Sequence, residues 1–538
     1  MSNLKLSMFE EINTVKARNV LDARTLGFSQ IRLLPKGNSV RPITNLRRRV
    51  TKLQNGKLTL GRSINSIMAP VFNVLDYEKR KRPMLVGSAL FSVGDMYPKL
   101  KSFALRLQTR QNAAQKLYFA KADARSCFDT IPQRKIVRLI GEIASEDDYR
   151  IARHAEIKAP DAHGGSTNVI GKPARKFITA AKASTDFTSL SEMLDAQLAK
   201  ERKNTVFVDS VVQNSHKKRK MLDLLKDHVE RNMIRIGKKF FRQKAGIPQG
   251  SVLSSLLCNY FYAQLEDECL SFLDDGESIL LRLIDDFLLI STNKEHAKRF
   301  LHTMHNGIPD YGVEVNPAKS LANFEVTVNG YRVACLQQGV GFPYCGNSID
   351  TRTLEITKDR DRRKGTADTL TVEPSKVPGK TFYRKALNAF KIQTHKMFLD
   401  TNFNSANTVL STIYQNFAEA AMKYYRYAKC MQSAKQPHLD LLKRTIGDLV
   451  DLAFVLVKGR HRLQIAHDYD CAVSKRQVAW LAAKAFRGVL TKKQCRYGEV
   501  IVWLDDAIRE STARNRKEAS RLYGIANKGD AIFSDYRY

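Results

Sequence analysis

The stretch Ile279–Ile290, ILLRLIDDFLLI, sets two adjacent aspartates, Asp285 and Asp286, between two short runs of Leu, Ile and Phe. Apolar runs of this length bounded by a polar pair predict a β-hairpin with the acids at its turn. Two carboxylates side by side on so apolar a support are costly unless something cationic meets them. Two readings stay open on these residues alone. One is a solvated Asp-Asp turn between core strands; the other is a divalent-cation site, since Mg²⁺ takes one or two carboxylates together with substrate phosphates.

Composition narrows the choice. At 538 residues the chain exceeds a single core, so several domains are expected. With 43% hydrophobic and 27% charged residues it reads as globular. The 89 Lys and Arg outnumber 54 Asp and Glu, leaving +35, which points to a polyanionic partner, nucleic acid before membrane. No run approaches the roughly eighteen apolar residues of a membrane span, and Met1–Val20 carries Lys5, Glu10, Glu11, Lys16 and Arg18. Neither a transmembrane segment nor a secretory signal is expected. The eight cysteines show no CxxC or CxxxH spacing, which favours reduced thiols in an intracellular protein over a zinc site.

Three further stretches carry information. Gln30–Arg49 predicts a hairpin with strands Ile31–Leu34 and Val40–Thr44 around a Pro35-Lys36-Gly37-Asn38 turn. Lys36 and Arg41 would flank the bend, either as solvated cations or as a grip on a phosphate chain. In Leu117–Gln133 (LYFAKADARSCFDTIPQ), strand composition over Leu117–Ala122 ends at Asp123, and a helix follows with Thr130 as N-cap and Pro132 in its first turn. In Gln243–Tyr262, a Gly246-Ile247-Pro248-Gln249-Gly250-Ser251 turn feeds a helix. Its apolar face is Val252, Leu253, Leu256, Leu257, Tyr260 and Phe261. The glycines allow backbone to approach a ligand ahead of a positive helix end.

Around these, Leu6–Leu26 reads as a helix and Gly141–Lys203 as a charged helical insertion. Thr205–Val212 returns to strand character, and His216–Lys220 opens an amphipathic helix reaching about Ile234. Gly312–Lys319 is a strand and turn ending in a lysine, and Gly339–Glu355 a tight hairpin. Ile356–Lys380, polar and rich in Gly and Pro, is the linker candidate, and Thr381–Tyr538 is helical almost throughout.

An acid at a strand end, a Gly-Pro-Gln-Gly turn and an acid pair in a hairpin, in that order, resemble a reverse transcriptase palm. The finer pattern is similar to telomerase reverse transcriptase. It comprises Pro35-Lys36 with Arg41-Pro42-Ile43, Phe128-Asp129-Thr130-Ile131-Pro132-Gln133, Gly246–Leu257, Leu283–Phe287, Phe342-Pro343-Tyr344-Cys345-Gly346 and Asp350–Glu355. Leu283, two before the acid pair, follows the telomerase habit; retroviral polymerases carry an aromatic residue there. The long insertion between the first two palm motifs does the same. The resemblance runs from about Leu21 to the C-terminus. The family's N-terminal DNA-anchoring domain and most of its RNA-binding domain have no counterpart in it.

The resemblance implies an α+β right-hand polymerase. Residues 1–29 would be a residual helical segment, 30–116 the fingers, and 117–355 a palm with an insertion at about 141–205. A linker over 356–380 and an all-helical thumb over 381–538 would follow. It also implies RNA-templated synthesis of telomeric repeats on a chromosome 3′ end, in the nucleus. The partners would be a telomerase RNA template, a single-stranded telomeric DNA primer, the RNA–DNA hybrid they form, and dNTPs, with no membrane. Asp123, Asp285 and Asp286, with the Ala124 backbone, would hold two Mg²⁺ roughly 3.5–4 Å apart. Lys36 and Arg41 would grip the triphosphate, with Gln249 and Gly250 along the nucleotide and template pair. Lys319 would donate a proton to pyrophosphate, Phe128 would gate the sugar, and Tyr344, Cys345 and Gly346 would form the primer grip. A retroelement reverse transcriptase and a catalytically silent RNA–DNA scaffold are the alternatives. No endonuclease or RNase H segment follows the thumb pattern, and a silent scaffold has no reason to keep three costly carboxylates.

Overall fold

A computed structural model describes residues 8–36, 39–49, 51–54, 57–109, 116–158, 173–186, 188–194, 205–360, 371–431, 436–459, 469–493, 496–514 and 516–536. At its centre is a five-stranded sheet in the order Ser278–Leu283, Asp286–Ser291, Tyr118–Asp123, Leu321–Ala322, Ala334–Cys335. Both faces of this sheet are covered, which is why its strands read as nearly continuous apolar runs. Phe287 and Leu289 enter the core built around helix Ser254–Cys269, whereas Leu281, Leu288 and Ile290 enter a second core on the opposite face with Phe119, Phe342 and Tyr344. All five hairpin residues have no solvent exposure. The hairpin predicted from Ile279–Ile290 is present.

A second five-stranded sheet runs Phe9–Ile12, Lys239–Gln243, Met233–Ile236, Ser29–Lys36, Ser39–Thr44. It corrects three expectations. Residues 9–12 are a strand paired to Lys239–Gln243, and among residues 9–26 only Thr14–Asp22 are helical. The segment is therefore part of the fingers sheet. The helix opened by the basic run ends at Val229, because Met233–Ile236 pairs in parallel with the strand from Ser29. The 30–49 hairpin is longer than predicted, with Lys36 opposite Ser39. Its Gly37-Asn38 turn lies outside the described residues. An 18-residue helix, Ile64–Lys81, follows.

Among its described residues the insertion is mainly strand. Asp148–Lys158 is flanked by Ala174–Ala183 and Thr205–Lys217 in an antiparallel three-stranded sheet, and the described helix between them is the single turn Leu190–Met193. Ala and Lys favour helix locally, but here tertiary pairing decides. Charged side chains recur along the first strand, so the run averages to a charged segment, while Tyr149, Ile151 and Ala155 are buried together with Glu156.

The C-terminal part is helical as predicted, with Pro378–Gln393, Ala406–Lys429, Leu439–Val457, Lys475–Thr491, Gly498–Arg514 and Arg516–Ile532 around their own core. The linker is shorter than expected. Ile356–Lys358 is the third strand of a sheet with Phe342–Tyr344 and Asn347–Ile349, and helix begins at Pro378. Buried ion pairs lock the thumb to the rest. Lys101 meets Asp400 at 2.7 Å, and Arg360 meets Glu419 at 2.7 Å. Among the described residues no helix is long and apolar enough to cross a membrane.

Candidate active site

Sheet register brings the acids together. Asp286 is the cross-strand partner of both Leu283 and Asp123, leaving Ile284 and Asp285 as a two-residue turn. The acid pair is thus divided: Asp285 lies in the turn and Asp286 on the strand beside Asp123. Ile284 adopts φ +61°, a left-handed conformation that a β-branched residue takes only when its surroundings enforce it. The Ala124 N–H donates to the Asp285 carbonyl at 3.0 Å, closing the sheet end.

Burial raises the pKa of Asp285 first, and the Asp123 charge adds to this; Lys319 and Arg41 oppose it. Burial is likewise the largest cause of the raised pKa of Asp286, opposed by Lys121. Lysines answer two of the three acids. Lys319 Nζ lies 2.6 Å from Asp123 Oδ2, and Lys121 Nζ 3.2 Å from Asp286 Oδ2. The other oxygen of Asp286, Oδ1, is buried and without a hydrogen-bond partner. Hard carboxylate oxygens, one of them orphaned, at the end of a rigid sheet fit a divalent cation. A separate grouping of His and carboxylates, Asp275, Glu277 and His296, sits at the opposite end of the hairpin. There the His296–Asp275 ion pair at 3.2 Å accounts for it.

The remaining predicted residues divide. Arg41 is exposed and near enough for its charge to act on Asp285. The Lys36 side chain lies outside the described residues. Phe128 is half-buried against the palm core on the short helix Cys127–Thr130, and the expected N-cap Thr130 is that helix's last residue. The next helix starts at Gln133. The Gly246–Ser251 turn is clamped between the Phe128 turn and the fingers. Ile247 N donates to Phe128 O at 2.6 Å, and Thr44 N to Gln249 O at 2.9 Å. Gly250, at φ +108°, is required here, since a Cβ would lie 2.4 Å from Thr44 O. The Gln249 side chain donates to Asp129 at 2.8 Å, so it braces the turn in this structure. Val252 precedes the helix and is exposed, outside the expected apolar face.

Tyr344 departs furthest from expectation. It is 1% exposed and lies beneath the acid turn, so its ring has no open surface for a primer. Cys345 and Gly346 form the hairpin turn, both at positive φ (+50° and +78°). Sequence reading missed Lys121 and Arg282. A lysine two residues before Asp123, on the same face of a buried strand, was the available signal. Arg282, with no solvent exposure, bonds Glu266 and Asn259 on the neighbouring helix.

Residues 188–333 match the family described as reverse transcriptase (RNA-dependent DNA polymerase), and residues 380–505 the C-terminal extension of telomerase reverse transcriptase. The chain belongs with the telomerase reverse transcriptases. It is 31% identical to the telomerase reverse transcriptase of Rattus norvegicus over 80% of this chain and 39% of that one. The Mus musculus protein gives 30% over 75% and 36%. The chain therefore spans well under half the length of these relatives. Its fold is like that of a telomerase from Candida albicans, with TM-score 0.61, 17% identity, and coverage of 94% of this chain and 69% of that one. Reverse transcriptases in general use divalent metal.

Proposed function

We propose that this chain is an RNA-directed DNA polymerase that extends chromosome 3′ ends with telomeric repeats, copying an associated telomerase RNA in the nucleus. The observation that carries the reading is the pairing of Asp286 with Asp123 beside the Asp285 turn, on a sheet buried on both faces. Asp123, Asp285, Asp286 and the Ala124 carbonyl would hold two Mg²⁺, which supply charge neutralisation at the primer 3′-oxygen and at the departing pyrophosphate. Arg41, already acting on Asp285, would hold the triphosphate. Lys319, half exposed, can leave Asp123 once that charge is met otherwise and deliver a proton to pyrophosphate. Phe128 would lie under the sugar, and the clamped Gly246–Ser251 turn would fix the height of the nucleotide and template pair. The +35 charge suits an RNA–DNA hybrid held between fingers and thumb.

The test supplies the purified chain with an RNA bearing a short repeat template, a single-stranded DNA primer and labelled dNTPs. Products that recur at the repeat length support repeat addition. One run to the template end without recurrence supports a retroelement-type enzyme, and no extension supports a scaffold.

A further inference from the structure

Asp286 is held at nearly every handle it has. Its backbone carbonyl accepts from the Tyr344 hydroxyl at 2.9 Å, and that hydroxyl in turn accepts from Leu283 N–H at 3.1 Å. Tyr344 thus bridges the two residues that face each other across the strained Ile284-Asp285 turn. Its side chain also lies 3.3 Å from the Leu281 carbonyl and 5.9 Å, ring centroid to Nζ, from Lys121. Asp286 Oδ2 meets Lys121 at 3.2 Å and the Cys345 thiol at 3.7 Å. Oδ1 alone is buried and free of partners. Two neighbouring residues of one hairpin therefore touch the backbone and the carboxylate of the same acid.

We propose that the Tyr344 hydroxyl and Cys345 thiol are positioning groups that lock the Asp286 carboxylate with Oδ1 toward the cation, so that nucleic acid seated on the Cys345-Gly346 turn and metal at Asp286 bind cooperatively. The inference rests on the metal-binding reading above. The chemistry is that of an outer shell around a ligand. Such partners fix the orientation of the coordinating group, and their loss costs roughly 10–100-fold in metal affinity. Tyr344 is suited to this because its hydroxyl both donates and accepts. Without it, the part-buried Leu283 N–H and Asp286 C=O, beside a turn already held at positive φ, would each lose a hydrogen bond. Cooperativity follows from the shared hairpin: whatever orders its turn orders the Asp286 carboxylate, and the coupling is reciprocal.

The experiment is a Mn²⁺ titration followed by the electron paramagnetic resonance of free Mn²⁺, on the full chain, with and without an RNA–DNA hybrid and without nucleotide. The wild-type chain should bind Mn²⁺ more tightly when hybrid is present. Tyr344→Phe, which keeps the ring, should weaken Mn²⁺ binding about 10-fold and reduce the effect of the hybrid. Cys345→Ala should weaken it severalfold, and Cys345→Ser should restore it. A Tyr344→Phe chain with an unchanged melting temperature and wild-type Mn²⁺ affinity overturns the inference. If Tyr344→Phe does not fold, the Cys345 pair decides alone: equal affinity for the Ala and Ser variants overturns it. A wild-type chain that binds no Mn²⁺ instead removes the metal reading on which the inference stands.

Discussion

Phe128 stands five residues beyond Asp123, on a one-turn helix whose backbone carbonyl is tied to the Gly246 turn. A ring held there can exclude a 2′-hydroxyl only by bulk, and overpacking of that kind costs about 1–3 kcal/mol, a roughly 5- to 150-fold preference. Phe128→Ala should raise rNTP use sharply relative to dNTP use in steady-state incorporation assays, and Phe128→Tyr should stay near wild type. Loss of both activities together, with a lowered melting temperature, would make Phe128 a core residue only. Asp285 and Asp286 support a second prediction. Burial raises both in the folded chain, so between about pH 4 and their raised values the folded state binds more protons than the unfolded one. Their contribution to stability must then fall as pH rises through that window. In EDTA, Asp285→Asn should raise the melting temperature above that window and flatten its pH dependence; an unchanged profile would show that the turn does not strain the fold. At this scale the acids were legible in sequence because polar pairs inside apolar runs are costly. The buried place of Tyr344 was not legible, because it depends on a hairpin distant in sequence folding beneath the acid turn.

Arg282 shows what an element can conceal. The sequence LLRLIDD reads as an apolar strand with one stray cation, yet the guanidinium is fully buried and bonds Glu266, Asn259 and the Val86 carbonyl. Glu266 also accepts from Ser88 N–H at 2.7 Å, so the network ties the acid hairpin to helix Ser254–Cys269 and to the loop before helix Met96–Thr109. Removing one partner of a buried ion pair costs about 3–5 kcal/mol, because the other charge is stranded. Arg282→Met should destabilise by about that amount in urea unfolding, and Arg282→Met with Glu266→Gln should recover much of it. Equal loss in the single and double variants would mean that the arginine acts through packing alone. The hairpin itself was predictable from its apolar halves. The insertion sheet was not, since its strands pair across gaps of tens of residues and their local alanine and lysine content favours helix.

The whole molecule joins a fingers sheet, a palm sheet and a helical thumb through buried contacts, among them Lys101 with Asp400 and Arg360 with Glu419. Helical periodicity made the thumb legible, but its docking was not, because each pair joins residues far apart in sequence. With +35 overall, affinity for an RNA–DNA hybrid should fall by roughly one log unit per log unit of salt for each phosphate neutralised. A-form geometry and 2′-hydroxyls should favour the hybrid over duplex DNA in filter-binding titrations. Equal binding of both duplexes, or binding indifferent to salt, would argue against a hybrid groove. In this reading Asp123, Asp285 and Asp286 act as one metal-dependent centre while the basic surface holds the nucleic acid. The decisive experiment is single-turnover extension of an RNA–DNA hairpin, with hybrid binding measured in parallel on the same preparations. Asp123→Ala, Asp285→Ala and Asp286→Ala should each abolish extension and leave hybrid affinity within about twofold of wild type. Near wild-type extension by any one of the three would contradict it.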